Sequence, residues 1–493
     1  MTSSSDECDV LVVGGGPGGS TAGTFVARAG HKVILLEREA FPRHQIGESL
    51  LPATIHGVCK LLGVFDELAS ANFVVKRGGQ FRWGRRDAPW DFNFRHHQML
   101  EDCAADFAYQ VERSKFDEIL LRNAARNGVD VRERWQVTTV VTEGERVVGV
   151  RCKDNDANER EIRAKYVVDA SGHGSVLAST VDARQHSEFF RNIAIYTYFE
   201  NGKRNPPPLS GNITCAAFDK GWFWYIPLSG TLTSVGAVFG KEYADQLKKK
   251  DHSVVFAELV NQCSLIKDFL SPAKRVAEGI YAPVRIRRDW SYTTARFWRP
   301  GLVLVGDAAC FIDPVFSSGV HLTTYSAMLA ARSINTCLKG TIDEQLCFDE
   351  FEARYRREFR VFYEFLLRFY DMHQDEDSYF WSARKILGTS EVSNAAFIRL
   401  VAGAGTTAEE FFRGKAEWMS KELRERRASP INEKDPALVA LRASGKAVVE
   451  EAFKGSTAED RVVTSALTTS ADGQTWVIPR MPWKPSRMSA YGT

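Results

Sequence analysis

The chain has 493 residues, of which 44% are hydrophobic and 26% are charged. This composition excludes a fully disordered chain, and at roughly 150 residues per domain the length suggests three domains or fewer. Lys and Arg number 64 against 62 Asp and Glu, so the net charge is only +2. A protein that binds nucleic acid through its phosphates is usually far more basic. We therefore expect no nucleic-acid partner.

The cysteine pattern and the N-terminal residues bear on the cellular compartment. Nine cysteines, an odd number without a C-x-x-C pair, favour reduced thiols over a disulfide framework. The opening MTSSSDECDV lacks the basic and apolar regions of a signal peptide. No apolar run approaches the roughly 18 residues of a membrane-spanning helix, and the ten histidines are scattered. We expect a cytoplasmic protein with no membrane segment and no metal site.

The first 37 residues contain a dinucleotide-binding pattern. Residues 9–13 (DVLVV) predict a buried strand, 14–19 (GGGPGG) a glycine-rich turn, 20–29 a helix, and 32–36 (KVILL) a second strand. A lone glycine motif is weak evidence, but here strand, turn, helix and a following acid all occur in order.

Each motif residue has a physical role in this pattern. Gly14 permits the tight turn, Gly16 lets a pyrophosphate approach the backbone, and Gly19 lets helix and strand pack closely. Glu37 follows the second strand and is placed to accept hydrogen bonds from ribose hydroxyls.

Two distant segments indicate which dinucleotide binds. Residues 165–172 (KYVVDASG) and 302–309 (LVLVGDAA) are apolar strands that end in small or acidic residues. Ligands of open α/β sheets lie at the carboxyl ends of strands, so we expect Asp307 to face a ribityl and phosphate chain. Three such strand ends favour one extended cofactor, FAD, over the shorter NAD.

Several longer motifs together resemble FAD-dependent enzymes of the para-hydroxybenzoate hydroxylase-like superfamily. They are GGGPGG, FPRHQIGES (41–49), YQVERSKFDEILL (109–121), VVDASG and VGDAACFIDP. Within that superfamily, residues 222–227 (WFWYIP) match the W-x-W-x-I-P signature of flavin-dependent halogenases. The resemblance covers about residues 9–385 and is greatest to phenol-type halogenases of natural-product pathways, such as those of chondrochloren and enediyne biosynthesis.

The resemblance implies a reaction in which reduced FAD, O2 and chloride yield hypohalous acid, with the reduced flavin supplied by a separate flavin reductase. It implies that Ile46–Ser49 lie against the flavin ring. The implied cofactor-binding residues, together with Asp307 from the strand-end argument, are Gly14, Gly16, Pro17, Gly19, Glu37, Arg38, Ile46, Gly47, Glu48, Ser49, Arg113, Asp307 and Pro314.

The resemblance also assigns catalytic and halide-binding residues. Lys76 matches the halogenase lysine that guides hypohalous acid, and its apolar neighbours suggest a buried amine with a lowered pKa. Trp222 and Trp224 alternate on a strand and so face one side, as a wall beside the flavin or as sheet core. The implied halide-binding residues, at the start of a predicted helix whose N–H groups attract anions, are Ser317, Ser318 and Gly319. A simple N-cap by either serine is compatible with this interpretation.

Two departures from related families bear on the substrate. Phe316 stands where tryptophan halogenases carry a Glu, which argues against an indole and for a phenol, a ring that needs no neighbouring carboxylate. Residues 319–321 (GVH) replace the G-x-N that is usual in the hydroxylases. The alternatives that remain are an aromatic hydroxylase, a geranylgeranyl-reductase-like flavoprotein and a flavin-binding protein without turnover.

The predicted architecture combines α/β and α+β elements. A Rossmann-like FAD domain of the glutathione-reductase type comprises 1–72, 109–182 and 285–340, and an antiparallel substrate sheet comprises 73–108 and 183–284. A helical region follows at 341–428, and a loosely docked or disordered tail at 429–493.

The helical region carries two patterns. Its aromatic residues from 351 to 369 recur at three- or four-residue spacing, which favours a helix packed on the core over an aromatic substrate groove. Arg354, Arg356, Arg357 and Arg360 form a cluster able to steer an acidic partner. The resemblance suggests that this partner is a peptidyl carrier protein bearing a tyrosyl-like phenol; a solvated helix face is the alternative.

Overall fold

The computed structural model describes residues 6–84, 87–240, 247, 249–371, 376–412 and 467–479. These residues form two large sheets, a set of helices around them and a C-terminal hairpin. None of the helices in these ranges is long and apolar enough to cross a membrane. None of the nine cysteines, all within the described residues, forms a disulfide bond.

The first sheet has eight strands: β1 Asp6–Val13, β2 Val33–Glu37, β7 Asp130–Glu133, β8 Gln136–Glu143, β9 Arg146–Lys153, β10 Glu159–Asp169, β17 Trp298–Arg299 and β18 Leu302–Leu304. Its centre is parallel in the order β18-β10-β1-β2-β7, and β17 and the β8–β9 pair extend it antiparallel. Val13 pairs with both Asp169 and Leu36, so the carboxyl ends of three strands meet at one edge. This edge is where a ligand is expected in an α/β sheet.

The second sheet has nine strands: β4 Gly78–Arg82, β5 Trp90–Asn93, β11 Arg184–Glu200, β12 Ile213–Phe218, β13 Gly221–Pro227, β14 Leu232–Gly240, β15 Lys274–Arg275, β16 Arg285–Thr294 and β19 Cys310–Phe311. The order is β19-β16-β11-β14-β13-β12-β4-β5, antiparallel except for the parallel β12–β4 pair. The antiparallel pairing predicted for β11, β13 and β14 is confirmed. β16 and β19 also belong to this sheet, whereas the predicted boundaries gave 285–340 to the first unit.

Two small pairs complete the strands: β3 Val74–Lys76 with β6 Ala108–Gln110, and β20 Thr468–Thr469 with β21 Trp476–Val477. The helices are α1 Pro17–Arg28, α2 Phe65–Ser70, α3 Gln98–Asp102, α4 Arg113–Arg126, α5 Ala178–Val181, α6 His252–Gln262, α7 Ser264–Phe269, α8 Gly319–Lys339, α9 Glu344–Phe369, α10 Glu376–Leu387, α11 Ser393–Val401 and α12 Ala408–Phe411. A π-helical turn covers Ala53–Cys59. The predicted Rossmann-like α/β unit, antiparallel sheet and helical C-terminal region are confirmed.

Helix α1 begins three residues earlier than predicted. Pro17 occupies its first turn, where the missing N–H of proline costs nothing and its fixed φ suits a helix. The helix therefore starts inside the glycine motif, and its N-terminus faces the edge where the strands of the first sheet end.

Helix α9 packs on the core, as the aromatic spacing predicted. Its aromatic residues at 351, 355, 359, 362, 365 and 369 are all buried in the main apolar cluster. The alternative of an aromatic substrate groove has no counterpart in this burial pattern.

The hairpin β20–β21 packs tightly, in contrast to the loose docking predicted for the tail. Trp476 is buried, and its Nε1 donates to Ser333 Oγ at 2.9 Å. The guanidinium groups of Arg332 and Arg354 lie 4.7 and 4.6 Å from the centre of its ring. A buried tryptophan with a satisfied N–H fixes such a segment. Residues 413–428 of the predicted helical region, and residues 429–466 and 480–493 of the predicted tail, lie outside the described residues.

Candidate functional site

A long cleft begins at the strand edge of the first sheet and ends against the second sheet. Sixteen of the predicted site residues line it: Gly14, Gly16, Pro17, Glu37, Arg38, Ile46, Gly47, Glu48, Ser49, Arg113, Trp222, Trp224, Asp307, Pro314, Ser317 and Gly319. Three predicted residues, Gly19, Lys76 and Ser318, do not line the cleft. The sequence therefore identified segments distant in the chain that the fold brings together.

The glycine turn is shaped by close backbone contacts. Gly14 has a φ of +100°, and a Cβ there would meet Ala170 O at 2.6 Å. A Cβ on Gly19 would lie 1.8 Å from Gly14 O, so Gly19 serves helix packing rather than the cleft. The turn leaves the N–H groups of the first turn of α1 directed at the cleft, an arrangement suited to a diphosphate.

Glu37 lies buried at the end of β2, where it organises this turn. Its Oε2 accepts a hydrogen bond from the Gly15 N–H at 2.7 Å, and its Oε1 accepts from the Glu39 N–H at 2.8 Å. A carboxylate has further lone pairs, so a ribose hydroxyl still finds an acceptor. The neighbouring Arg38 is exposed at the rim of the cleft.

Arg113, at the start of α4, fixes the loop formed by Ile46–Ser49. Its guanidinium holds both carboxylate oxygens of Asp117 at 2.7 and 2.9 Å, and its third nitrogen donates to Ile46 O at 2.7 Å. Such a paired, bidentate arginine is a rigid support. Arg113 therefore positions the backbone of the loop that forms one wall of the cleft.

Asp307 follows β18 and lies opposite Glu37 along the strand edge. Burial raises its pKa, but His173, Arg287 and Arg113 outweigh burial and hold the pKa below its usual value. Asp307 is therefore ionised, and it is able to accept hydrogen bonds from ligand hydroxyls.

Lys76 is buried behind the cleft. Strand alternation on β3 points Val75 outward and Lys76 inward, where its Nζ donates to Ser49 Oγ at 2.8 Å and to Leu50 O at 3.0 Å. Loss of hydration lowers the pKa of Lys76 from 10.5 to about 7. The predicted burial and lowered pKa are both found, and Ser49 lies between the amine and the cleft.

The segment from Asp313 to Gly319 turns into helix α8. Ser317 adopts a left-handed conformation with φ of +61°, and Ser318 occupies the N-cap position of α8. The predicted side-chain cap is absent: the Ser318 hydroxyl is buried and makes no cap hydrogen bond. The backbone N–H groups at the start of α8 have no acceptor within the helix and remain able to bind an anion.

A buried network that the sequence analysis did not assign holds this segment. Asp313 Oδ2 accepts hydrogen bonds from Tyr370 OH at 2.7 Å and Asn192 Nδ2 at 3.0 Å, and Oδ1 accepts from Val315 N. Trp222 Nε1 donates to the same Tyr370 hydroxyl at 2.7 Å. Burial raises the pKa of Asp313 to about 6. The aspartate of the FIDP motif was the available signal, but its partners lie on distant elements.

Trp222 and Trp224 face the same side of β13, as predicted from strand alternation. Their rings lie 6.2 Å apart, and both are buried while lining the cleft. The wall and core interpretations therefore describe the same position.

Phe316 and His321 both point away from the cleft. Phe316 packs against Phe365 and Phe369 with ring centres 5.0 and 4.7 Å apart. His321 is fully buried, with its Nε2 2.8 Å from Glu358 Oε1. The two departures from related families thus belong to the packing of α8, and of the turn that precedes it, against α9.

The four arginines of the predicted docking surface, all on α9, do not form one exposed cluster, which corrects that prediction. Arg354 pairs with Glu350 at 2.6 Å and Arg356 with Glu352 at 2.8 Å, and both are largely buried. Arg357 and Arg360 remain exposed. Glu350, Glu352 and Glu358, whose charges would balance these arginines on a solvated helix face, are themselves buried in these two pairs and in the His321 contact.

The cleft residues fit FAD. The glycine turn and the N-terminus of α1 suit its diphosphate, Glu37 suits the adenosine ribose, and Asp307 suits hydroxyls of the central chain. The Ile46–Ser49 loop and the tryptophan wall provide the flat, largely apolar end that a flavin ring requires. Among the described residues no group of three or more His, Cys, Asp or Glu side chains could hold a metal ion.

Comparison with known proteins identifies the class. Residues 101–421 match the family described as tryptophan halogenase, and residues 9–183 match the FAD dependent oxidoreductases. The chain belongs to the tryptophan halogenase family, and is therefore a flavin-dependent halogenase that uses FAD, O2 and halide.

Three individual proteins show the kinds of halogenase to which this chain is similar. The myxobacterial chondrochloren halogenase CndH is 51% identical, with 96% of this chain and all of that one covered, and its structure superposes with a TM-score of 0.76. The tryptophan 2-halogenase of Chondromyces crocatus is 33% identical over 80% of this chain and 75% of its own. The 1H-pyrrole-2-carbonyl-[peptidyl-carrier protein] chlorinase of Pseudomonas fluorescens is 30% identical over 75% of this chain and 85% of its own.

Proposed function

We propose that this halogenase chlorinates a phenolic ring, tyrosyl-like and tethered to an acidic peptidyl carrier protein, with reduced FAD supplied by a separate reductase. The observation that carries the proposal is the buried Lys76 amine, one hydrogen bond away from the cleft through Ser49. The alternatives of a hydroxylase or a geranylgeranyl-reductase-like saturase have no use for such an amine. The absence of disulfide bonds among the nine cysteines supports a cytoplasmic setting.

When bound, reduced FAD activates O2 so that halide is oxidised to hypohalous acid. The N–H groups of Ser318 and Gly319 would replace part of the hydration shell of the halide. Trp222 and Trp224 would keep a bulky aromatic substrate away from the site where oxygen is activated. The chain thereby separates oxidation of the halide from halogenation of the ring.

Lys76 would handle the hypohalous acid on its way to the substrate. With a pKa near 7, about half of the amines are neutral at neutral pH. A neutral amine accepts a hydrogen bond from HO–Cl or forms an N–Cl bond with loss of water, whereas an ammonium group does neither. Burial excludes the water that would otherwise dilute the reagent.

The substrate class follows from the position of Phe316. Because this side chain packs among aromatic rings, no carboxylate is supplied from position 316 to a weakly activated ring. A phenol is electron-rich, and loss of its hydroxyl proton activates it further. The Chondromyces crocatus relative is a tryptophan 2-halogenase, so tryptophan is the rival substrate.

Carrier tethering is supported by the Pseudomonas fluorescens relative, whose name states a carrier-bound substrate. Arg357 and Arg360 are the exposed arginines of α9 that would meet an acidic partner. Arg354 and Arg356 are excluded from this role by their ion pairs.

The test supplies a flavin reductase, FAD, NADH, O2 and chloride with tyrosine, either free or loaded on a carrier protein, and with free tryptophan. We expect a product heavier by one chlorine from carrier-loaded tyrosine, with turnover that falls between low and high salt. Equal or better turnover of free tyrosine would show that the reaction needs no carrier protein. Chlorination of tryptophan instead would show that the substrate is an indole rather than a phenol. A product heavier by one oxygen would indicate a hydroxylase.

A further inference from the structure

A chain of hydrogen bonds leads out of the cleft through residues that have no role so far. Tyr198 OH donates to Glu48 Oε1 at 2.8 Å, and the hydroxyl oxygen of Tyr198 lies 2.9 Å from His44 Nε2. Glu48 lines the cleft, Tyr198 is fully buried in β11, and His44 is partly exposed. The three side chains therefore connect the interior of the cleft with the surface.

The surroundings set the protonation of both ends. Burial raises the pKa of Glu48 to about 7, and the negative charge of Glu112 adds to this rise. Hydrogen bonds from Ser234 and Tyr198 and the positive charge of Arg113 act in the opposite direction and lower the pKa. Burial together with nearby arginines lowers the pKa of His44 to about 4. The charged groups that face His44 are Arg285, Arg113, Arg43 and Arg287, and its aromatic neighbours are Tyr196, Tyr198 and Tyr281. At neutral pH His44 is uncharged, and Glu48 is poised to gain and lose a proton.

The halogenation reaction of the family consumes one proton, which has to reach the cleft from the solvent. Halogenation converts FADH2, O2, a halide ion, one proton and an aromatic C–H into FAD, an aromatic C–halogen bond and two molecules of water. The competing release of hydrogen peroxide, from FADH2 and O2 alone, consumes no proton. Halogenation therefore depends on a supply of protons to the cleft that the release of peroxide does not need.

We propose that His44, Tyr198 and Glu48 form a relay that delivers this proton to the cleft. A solvent proton binds His44 Nδ1, the Nε2 proton moves to the oxygen of Tyr198, and the original hydroxyl proton of Tyr198 moves to Glu48 Oε1. Glu48 then gives its proton to an oxygen atom derived from O2, which leaves as water. Glu48 is thereby a carboxylate again. His44 recovers its first tautomer by proton exchange with solvent. Glu48 lines the cleft, whereas Tyr198 and His44 act through Glu48.

Tyr198→Phe tests the relay, since it removes the bridging oxygen and keeps the ring that packs 4.5 Å from Tyr281. We expect coupling, which is the halogenated product formed per FADH2 oxidised, to fall by about 100-fold, the lower end of what a proton-transfer group contributes. Peroxide should rise to match. The relay also predicts that coupling in the parent enzyme declines above the pKa of Glu48, near 7, and this decline should disappear in the variant. The matched control is Tyr225→Phe, which removes another buried hydroxyl of the second sheet, bonded to Lys203 O, and should behave as the parent.

His44→Ala provides a second, independent variant. Coupling should fall as in Tyr198→Phe and should be restored by added imidazole, which a structural defect would not permit. Parent-like coupling and pH profile in Tyr198→Phe, or failure of imidazole to rescue His44→Ala, would overturn the relay.

The relay rests on the halogenase reaction and not on the proposed phenol. The assays therefore use whichever of carrier-loaded tyrosine, phenol, indole and pyrrole the parent enzyme halogenates fastest. A preference for indole or pyrrole would defeat the proposed substrate and leave the relay test unaffected.

Discussion

Lys76 Nζ and Ser49 Oγ lie 2.8 Å apart, which places a buried amine directly behind the wall of the cofactor cleft. Ser49 belongs to the loop that Arg113 fixes, and Lys76 to a short strand paired with β6. The lysine is thus held by two elements that the sequence separates.

Replacement of Lys76 should stop halogenation of the substrate but not oxidation of reduced FAD. We expect Lys76→Ala to lower the halogenation rate by about 100-fold or more, because the group that receives hypohalous acid is lost. Oxidation of reduced FAD should continue within about twofold, with peroxide as the product, measured by flavin absorbance and a peroxide assay. Lys115→Ala is the matched control, since Lys115 donates to Ala71 O and does not line the cleft. Near-normal chlorination by Lys76→Ala would reduce the lysine to a structural role.

The same side chain should leave a signature in the pH dependence of stability. Between pH 7 and 10.5 the unfolded chain carries the lysine proton and the folded protein does not, so the folded state gains stability as pH rises. In Lys76→Met this contribution is absent. The difference in unfolding free energy between the parent and Lys76→Met should therefore move in favour of the parent by about 1.4 kcal/mol per pH unit, measured by urea unfolding. A difference that stays constant over this range would show that Lys76 remains charged in the fold.

The halide site can be tested with a single methyl group. A Cβ on Gly319 would meet no atom within 4 Å, so Gly319→Ala fits the fold and projects into the cleft where the halide is proposed. We expect the KM for chloride to rise about tenfold and that for bromide to rise further, because bromide is larger, with no loss of stability. Gly230→Ala, also in open space, should leave both values unchanged.

Crystals soaked in bromide should show anomalous density at the N–H groups of Ser318 and Gly319. In the parent enzyme bromide should compete with chloride, since a site built from backbone N–H groups is only loosely selective for size. Anomalous density elsewhere, with none at this segment, would remove the assignment.

The C-terminal hairpin should contribute strongly to stability. Trp476→Ala removes a buried ring together with its hydrogen bond to Ser333 and its contacts with Arg332 and Arg354. We expect a loss of about 3–5 kcal/mol in unfolding free energy. Ile478→Ala, two residues away and 65% exposed, should change stability by less than about 0.5 kcal/mol. Equal effects of the two substitutions would contradict the tight packing of this hairpin.

The sequence by itself determined the local chemistry of the cofactor site. Gly14, Gly19 and Glu37 could be identified because turn geometry, close packing and strand ends act over a few residues. The strand alternation that places Trp222 and Trp224 on one side is equally local. The halogenase resemblance added Lys76, and its apolar neighbours already indicated a buried amine.

Only the tertiary structure decided which ion pairs are buried and which distant side chains are joined by hydrogen bonds. The i,i+4 spacing of Glu350 with Arg354 and of Glu352 with Arg356 already allows these ion pairs on one helix, but only the packing of α9 shows that they are largely buried. Trp222 reaches Tyr370 across 148 positions, and Tyr198 reaches Glu48 across 150. A pKa depends on burial and on neighbours in space, and residues so far apart in the chain become neighbours only when the two sheets meet.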